Sequence, residues 1–270
     1  MKLYHKLLLL SFFLSVNMLC AQENLSHEIG ISAGPVTMQT DYGERHYLPS
    51  STLTSFGLSF SHYLSFYGSN YNWRNGTSFF SDHFKLKTDF SLYFNNNLEH
   101  KGVYVKENPI TQFDDKLRAM KGTTKLWDVG TQLEFYFMSL EDYGLLFNSD
   151  DKWAPYIGTG VHYSKYTPTF STSYGNGDYI NNPEILPDPW QQDAIFLDPG
   201  YTFSWTFNAG TRYKLGDVHI FADARFQYFF SDKIEGLDAP HDLSGSKFND
   251  TIVYFSVGVI YDLGSFSFRR

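Results

Sequence analysis

The chain has 270 residues, a formal net charge of −8 and one cysteine. One cysteine excludes a disulfide framework and a Cys-based metal site, and with no basic stripe along the chain nucleic acid is excluded as a partner. Aromatic residues reach 19% in a sequence that otherwise reads as polar, a pairing that suits neither a disordered chain nor an ordinary soluble core.

Lys2 and Lys6 precede an apolar stretch from Leu7 to Leu19, followed by Cys20-Ala21-Gln22. This is the layout of a cleaved secretory signal, too short to cross a ~30 Å hydrocarbon core as a helix. Residues 1–21 are read as a signal for the Sec pathway and 22–270 as one domain. A lipoprotein signal acylated at Cys20 is the alternative, but Leu19 stands where such signals want a small residue.

Beyond the signal no apolar run reaches the ~20 residues of a membrane helix. What recurs is alternation with period 2, in segments separated by polar loops. Glu28–Val36 comes first, then Phe56–Phe66, where Phe56, Leu58, Phe60 and Leu64 alternate with Gly57, Ser59, Ser61 and Tyr63. The clearest is Phe84–Phe94: Phe84, Leu86, Phe90, Leu92 and Phe94 share one face, while Lys85, Lys87, Asp89 and Ser91 share the other. Strand geometry puts alternate side chains on opposite faces. The pattern returns at Trp127–Phe137, Trp153–Lys165, Phe203–Leu215, Ile220–Tyr228 and Val253–Leu263. These segments predict an all-β fold, an antiparallel up-and-down transmembrane β-barrel of about eight strands.

The polar faces combine glycines (Gly57, Gly130, Gly158, Gly160, Gly210, Gly258) with charges of both signs (Lys85, Asp89, Glu134, Arg212, Asp223, Arg225). The lumen of an eight-stranded barrel is only wide enough for side chains, so small residues make room and opposite charges pair. A soluble sandwich or lipocalin-like barrel would instead hold the charged face in water.

Gly216-Asp217 between two alternating runs signals a tight hairpin. Short turns lie on the periplasmic side of such barrels, which puts the outer loops near Gln39–Ser51, Asn95–Thr123, Thr167–Pro199 and Ser231–Asp250. Two connections, Tyr67–Asp82 and Ser139–Lys152, are too long for that rule and are candidate periplasmic surfaces.

Little chemistry stands out. His162-Tyr163-Ser164 has the His-x-Ser spacing of a lipid A deacylase family, yet the phase turns both side chains into the lumen, Lys165 replaces the usual Asn, and no acid is evident to orient the histidine. No catalytic residue, cofactor or metal is assigned. The loop acid pairs Asp114-Asp115, Glu141-Asp142 and Asp150-Asp151 read as solvated; those outside could hold Ca²⁺ bridging lipopolysaccharide. A lumen filled with charge pairs would pass little, so a general porin is not expected.

Glu28-Ile-Gly-Ile-Ser-Ala-Gly-Pro-Val36, Asp41-Tyr-Gly-Glu-Arg45, Phe56-Gly-Leu-Ser-Phe60, Asp82-His-Phe-Lys-Leu86, Asn97-Leu-Glu-His100 and Lys116-Leu-Arg-Ala-Met120 together resemble a flavobacterial (Bacteroidetes) family of small outer-membrane barrels with no assigned activity. The first strand and the overall size are more loosely similar to PorG-like barrels of the type IX secretion machinery. The resemblance implies a non-enzymatic outer-membrane protein, among lipid and lipopolysaccharide, that anchors a periplasmic secretion-system protein or lipoprotein. Its candidate contact residues are Asp41, Tyr42, Glu44 and Arg45 in an outer loop, where Asp41, Glu44 and Arg45 could pair locally, and Trp73, Arg74, Phe79 and Phe80 on the periplasmic side.

Overall fold

The computed structural model describes residues 25–42, 55–66, 78–102, 105, 111–144, 152–191, 194–238 and 249–263. The expected signal and the candidates Glu44, Arg45, Trp73 and Arg74 lie outside the described residues.

Eight strands form: β1 (Ser26–Gln39), β2 (Ser55–Ser65), β3 (Phe84–Glu99), β4 (Met120–Tyr136), β5 (Trp153–Thr172), β6 (Gly200–Leu215), β7 (Val218–Phe229) and β8 (Thr251–Asp262). Each pairs antiparallel with its successor, and β8 closes on β1 through pairs such as Glu28 with Asp262 and Gln39 with Thr251. Closure leaves no edge strand and satisfies every strand within the ring, which a hydrocarbon solvent demands. The β6–β7 hairpin sits where Gly216-Asp217 foretold: Leu215 pairs with Val218, and Gly216 takes a φ of 75° that a side chain would resist.

Period 2 sorts the side chains. Phe60, Phe90, Trp205 and Phe255 point outward, while Ser59, Asp89, Ser204 and Tyr254 are buried in the lumen. The outer face remains bare: Phe203 and Val257 are 60% and 63% exposed, with large apolar neighbours around the ring. Soluble proteins rarely expose apolar patches above a few hundred Å², so this surface faces lipid. The sandwich and lipocalin-like alternatives fall with it, because here the charged face is the one that is buried.

Strand ends differ from expectation. β5 runs on past Lys165 to Thr172, β3 continues to Glu99, and β4 begins at Met120, so parts of two expected outer loops are strand. Beyond the membrane the outward positions no longer need to be apolar, and Lys121, Thr123, Lys125, Thr169 and Ser171 occupy them. The ladder persists through backbone pairing and a Thr123–Thr169 hydroxyl contact of 2.5 Å. A register shift between Tyr93 and Asn96 marks the exit.

Among the described residues three short helices fill connections: α1 (Phe79–His83), α2 (Gln112–Ala119) and α3 (Leu140–Gly144). Asp114, read as a solvated loop acid, instead closes a capping box at α2: its carboxylate accepts from Thr111 N at 3.0 Å while Thr111 Oγ1 accepts from Asp114 N at 3.2 Å. The two over-long periplasmic connections are joined, because Asp82 Oδ1 accepts from Ser139 Oγ and Glu141 N, both at 2.9 Å.

Candidate functional site

The lumen is packed with charge. Toward the periplasm, Arg212 is 0% exposed and donates to Glu28 at 2.6 Å and to Glu134 at 3.2 Å. Lys85 also pairs with Glu28, Lys87 lies 3.8 Å from Glu134, and Tyr136 donates to Glu134 at 2.6 Å. The Arg212 guanidinium stacks over Tyr63 at 4.2 Å. Asp223 accepts from Tyr156 at 2.8 Å and Asn208 at 3.0 Å. Strand alternation places these groups on one face each; closure of the ring brings them together across the lumen.

A second layer lies above. Arg225 pairs with Asp89, Ser91 and Tyr93, and Gln227 donates to Asp128 at 3.1 Å and Ser204 at 2.8 Å. His162 fits because Gly130 faces it, where a Cβ would run into the ring. The expectation that no acid orients His162 is corrected: its Nδ1 lies 3.0 Å from Asp128 Oδ1. Its other nitrogen lies 3.0 Å from Gln132 Nε2. That amide also donates to Asp89 Oδ1 at 3.1 Å, so the imidazole lies between Asp128 and Asp89. Ser164 keeps a longer contact, 3.5 Å, with Gln227. His162 and Ser164 are thus buried lumen groups, held away from lipid and engaged with different partners.

Both mouths are stoppered. On the outer side Ile185, Leu186 and Trp190, on two 3-10 turns, pack with Tyr42, Leu98, Leu117, Tyr166, Ile234 and Leu237. The loop after β7 pairs with the loop after β5, through Phe196 N to Gly236 O at 2.9 Å and Asp238 N to Ala194 O at 3.0 Å. On the periplasmic side Leu140 and Tyr143 of α3 pack on Tyr136 and Tyr156, and Tyr143 Oη meets His219 Nδ1 at 3.2 Å.

Among the expected contact residues, Asp41 and Tyr42 are buried beneath the outer cap at 7% and 5% exposure. Asp41 N donates to Glu235 Oε1 at 3.0 Å, a partner from the far end of the chain. Burial holds the Glu235 carboxyl well above the usual range, with the Asp250 charge adding to it; burial also raises Asp250, to about 7, with Asp232 and Asp41 adding to the effect. Burial lowers His100, beside the Tyr42 ring at 5.0 Å, to about 4. Phe79 and Phe80 stay exposed but do not stand alone. Phe80 stacks on Phe84 at 4.9 Å and touches Phe66 at 5.0 Å, while Phe79 stacks on His83 at 4.3 Å. They extend the lipid-facing band as interfacial aromatics do. Asp41 and Phe79 therefore lie at opposite ends of the barrel and form no single site.

The sequence matches no family model and no curated protein. Among solved structures it is similar to a major outer membrane protein of Thermus thermophilus, with 9% identity over 88% of this chain and 99% of that one and a TM-score of 0.46. Neisserial surface protein A gives 12% identity, 89% and 100% coverage and a TM-score of 0.43. The outer membrane enzyme PagL gives 9%, 87% and 98%, and 0.34. The likeness is one of architecture. This chain is an outer-membrane-type β-barrel of eight strands.

Proposed function

We propose that the chain is a non-enzymatic barrel of the bacterial outer membrane whose role is structural and interactive, exported through the Sec pathway and surrounded by lipid and lipopolysaccharide. The observation that carries this reading is the lumen. Interlocked ion pairs fill it between an apolar outer cap and an aromatic periplasmic stopper, which leaves the two ends and the outer face to act. The finer role is an anchor or accessory of the type IX secretion machinery that holds a periplasmic protein or lipoprotein. It is supported by the likeness of the first strand to PorG-like barrels and by the two joined, over-long periplasmic connections. The test is capture by the tagged full chain from detergent-extracted outer membranes. Removing residues 67–82 should abolish capture of a periplasmic partner while the unboiled protein still migrates faster than the boiled one. Undiminished capture, or single-channel conductance above baseline in a planar bilayer, would refute it.

The Asp128–His162 bond favours a second reading, a lipid-modifying barrel of His/Ser type. Lipid A from cells carrying His162→Ala and Ser164→Ala, compared by mass spectrometry with wild type, decides it; an unchanged acylation pattern removes the enzyme.

A further inference from the structure

The outer cap holds a group of acids that no ion pair in the lumen resembles. Asp41 follows the end of β1, Asp232 and Glu235 follow β7, and Asp250 immediately precedes β8. These three strands are neighbours in the ring, so the loop after β7 leaves and returns at the place where β1 ends. Carboxylate oxygens of Asp41, Asp232 and Glu235 lie within 4.8 Å of one another. Glu235 and Asp250 are fully buried, and among the described residues neither meets a lysine, arginine or histidine in an ion pair.

One oxygen of each is satisfied: Glu235 Oε1 accepts from Asp41 N at 3.0 Å and Asp250 Oδ2 accepts from Ile234 N at 3.1 Å. The other two, Glu235 Oε2 and Asp250 Oδ1, are buried and meet no N–H or O–H donor among the described residues, and the two carboxyls lie within hydrogen-bond reach of each other. A buried acceptor left without a donor is costly, and two facing carboxyls compound it. Either a shared proton or a cation between them relieves this cost.

We propose that this cluster binds one divalent cation, Ca²⁺, through Asp41, Asp232 and Glu235 with Asp250 beside them. The ligand set is all carboxylate oxygen, with no imidazole or thiolate to favour a transition metal. Ca²⁺ accepts six to eight oxygens in irregular arrangements, whereas Mg²⁺ demands a near-ideal octahedron. Loop backbone and water complete such a shell. Bound there, the ion ties the ends of β1, β7 and β8 together and fixes the loop that braces the outer cap.

The full chain, folded in detergent and stripped of metal, is titrated with CaCl₂ at neutral pH by equilibrium ⁴⁵Ca²⁺ binding, with limited proteolysis of the loops in parallel. The expected result is one site per chain with Kd on the order of 10⁻⁴–10⁻³ M, the range of extracellular calcium sites, and loop cleavage slowed about tenfold or more at saturation. Mg²⁺ at equal concentration should protect far less. Glu235→Gln and Asp41→Asn, each shown to remain heat-modifiable on a gel, should weaken binding at least about tenfold. Absence of saturable binding to a folded wild-type barrel would overturn the proposal and leave a shared proton as the neutralising group. Binding that survives both substitutions unchanged would also overturn it, because the ion would then sit elsewhere.

Discussion

In the lumen Glu28, Glu134 and Asp89 each face an arginine or a lysine, whereas under the outer cap Glu235 faces Asp250. Both regions are equally withdrawn from solvent. The difference is the source of the compensating charge. The lumen carries its own: Lys85, Lys87, Arg212 and Arg225 are set against Glu28, Asp89, Asp128, Glu134 and Asp223, with His162 held between two of the acids. The cap's Glu235 and Asp250 meet no lysine, arginine or histidine in an ion pair among the described residues. The lumen thus draws most of its compensation from within the chain, and the described part of the cap does not.

The largest effect should come from breaking the lumen's balance. Arg212→Met leaves Glu28 and Glu134 buried with one cation fewer and should cost about 3–5 kcal/mol, the range for stranding one side of a buried ion pair. A chemical denaturation midpoint measured in detergent reads it. Adding Glu28→Gln and Glu134→Gln should recover much of the loss. A cost below about 1 kcal/mol for the single change would mean that water, rather than arginine, satisfies these acids.

Next comes acid sensitivity of the cap. His100 is buried with its pKa lowered to about 4, against 6.5 for the free group. A group depressed in the folded state contributes fully above pH 6.5, and its contribution is lost as pH falls through 4. The difference amounts to at most about 3 kcal/mol. Glu235 and Asp250, whose carboxyls are raised, gain stability over the same fall in pH and oppose this component, so it is read as a difference: acidification from neutral pH to about pH 4.5 should favour protease cleavage of the outer loops less in His100→Gln than in the wild type. Equal acid slopes in the two proteins would place the sensitivity elsewhere.

The lumen was largely legible from sequence, and the cap was not. A period of 2 needs no knowledge of the partner strand, so the inward set Lys85, Asp89, Glu134, Arg212 and Arg225 could be read segment by segment. Pairing across the lumen could not: His162 and Asp128 belong to different strands, and their 3.0 Å contact depends on register. Above the membrane the outward face loses its apolar marker, which hid the outer halves of the β3–β4 and β4–β5 ladders. In the cap, Asp41 invited a local pairing with Glu44 and Arg45. Glu44 and Arg45 lie outside the described residues; the Asp41 backbone meets Glu235, 194 residues away, and no spacing along the chain announces such a contact.

Glu235→Gln should act with the opposite sign to Arg212→Met. In divalent-free buffer it replaces one of two facing carboxyls by a neutral amide, keeps an oxygen for Asp41 N, and supplies an amide donor for Asp250. A gain in cap stability of about 1 kcal/mol is expected, read as slower loop proteolysis. A substitution that loosens the cap under these conditions would show that Glu235 is already compensated within the chain, and the contrast with the lumen would dissolve.

The smallest effect belongs to a place outside both regions. Phe79→Ser with Phe80→Ser alters two exposed rings of α1, 65% and 47% accessible, that touch the band formed by Phe66, Phe84 and Phe135. Interfacial aromatics of this kind contribute through the headgroup region rather than through a core. The barrel's denaturation midpoint should shift by no more than about 0.5 kcal/mol, and neither acid sensitivity nor cap proteolysis should change. Partner capture separates the two roles open to these rings. If capture by the full chain persists with both serines in place, Phe79 and Phe80 serve the membrane; if it is lost while the midpoint holds, the periplasmic contact surface runs through α1.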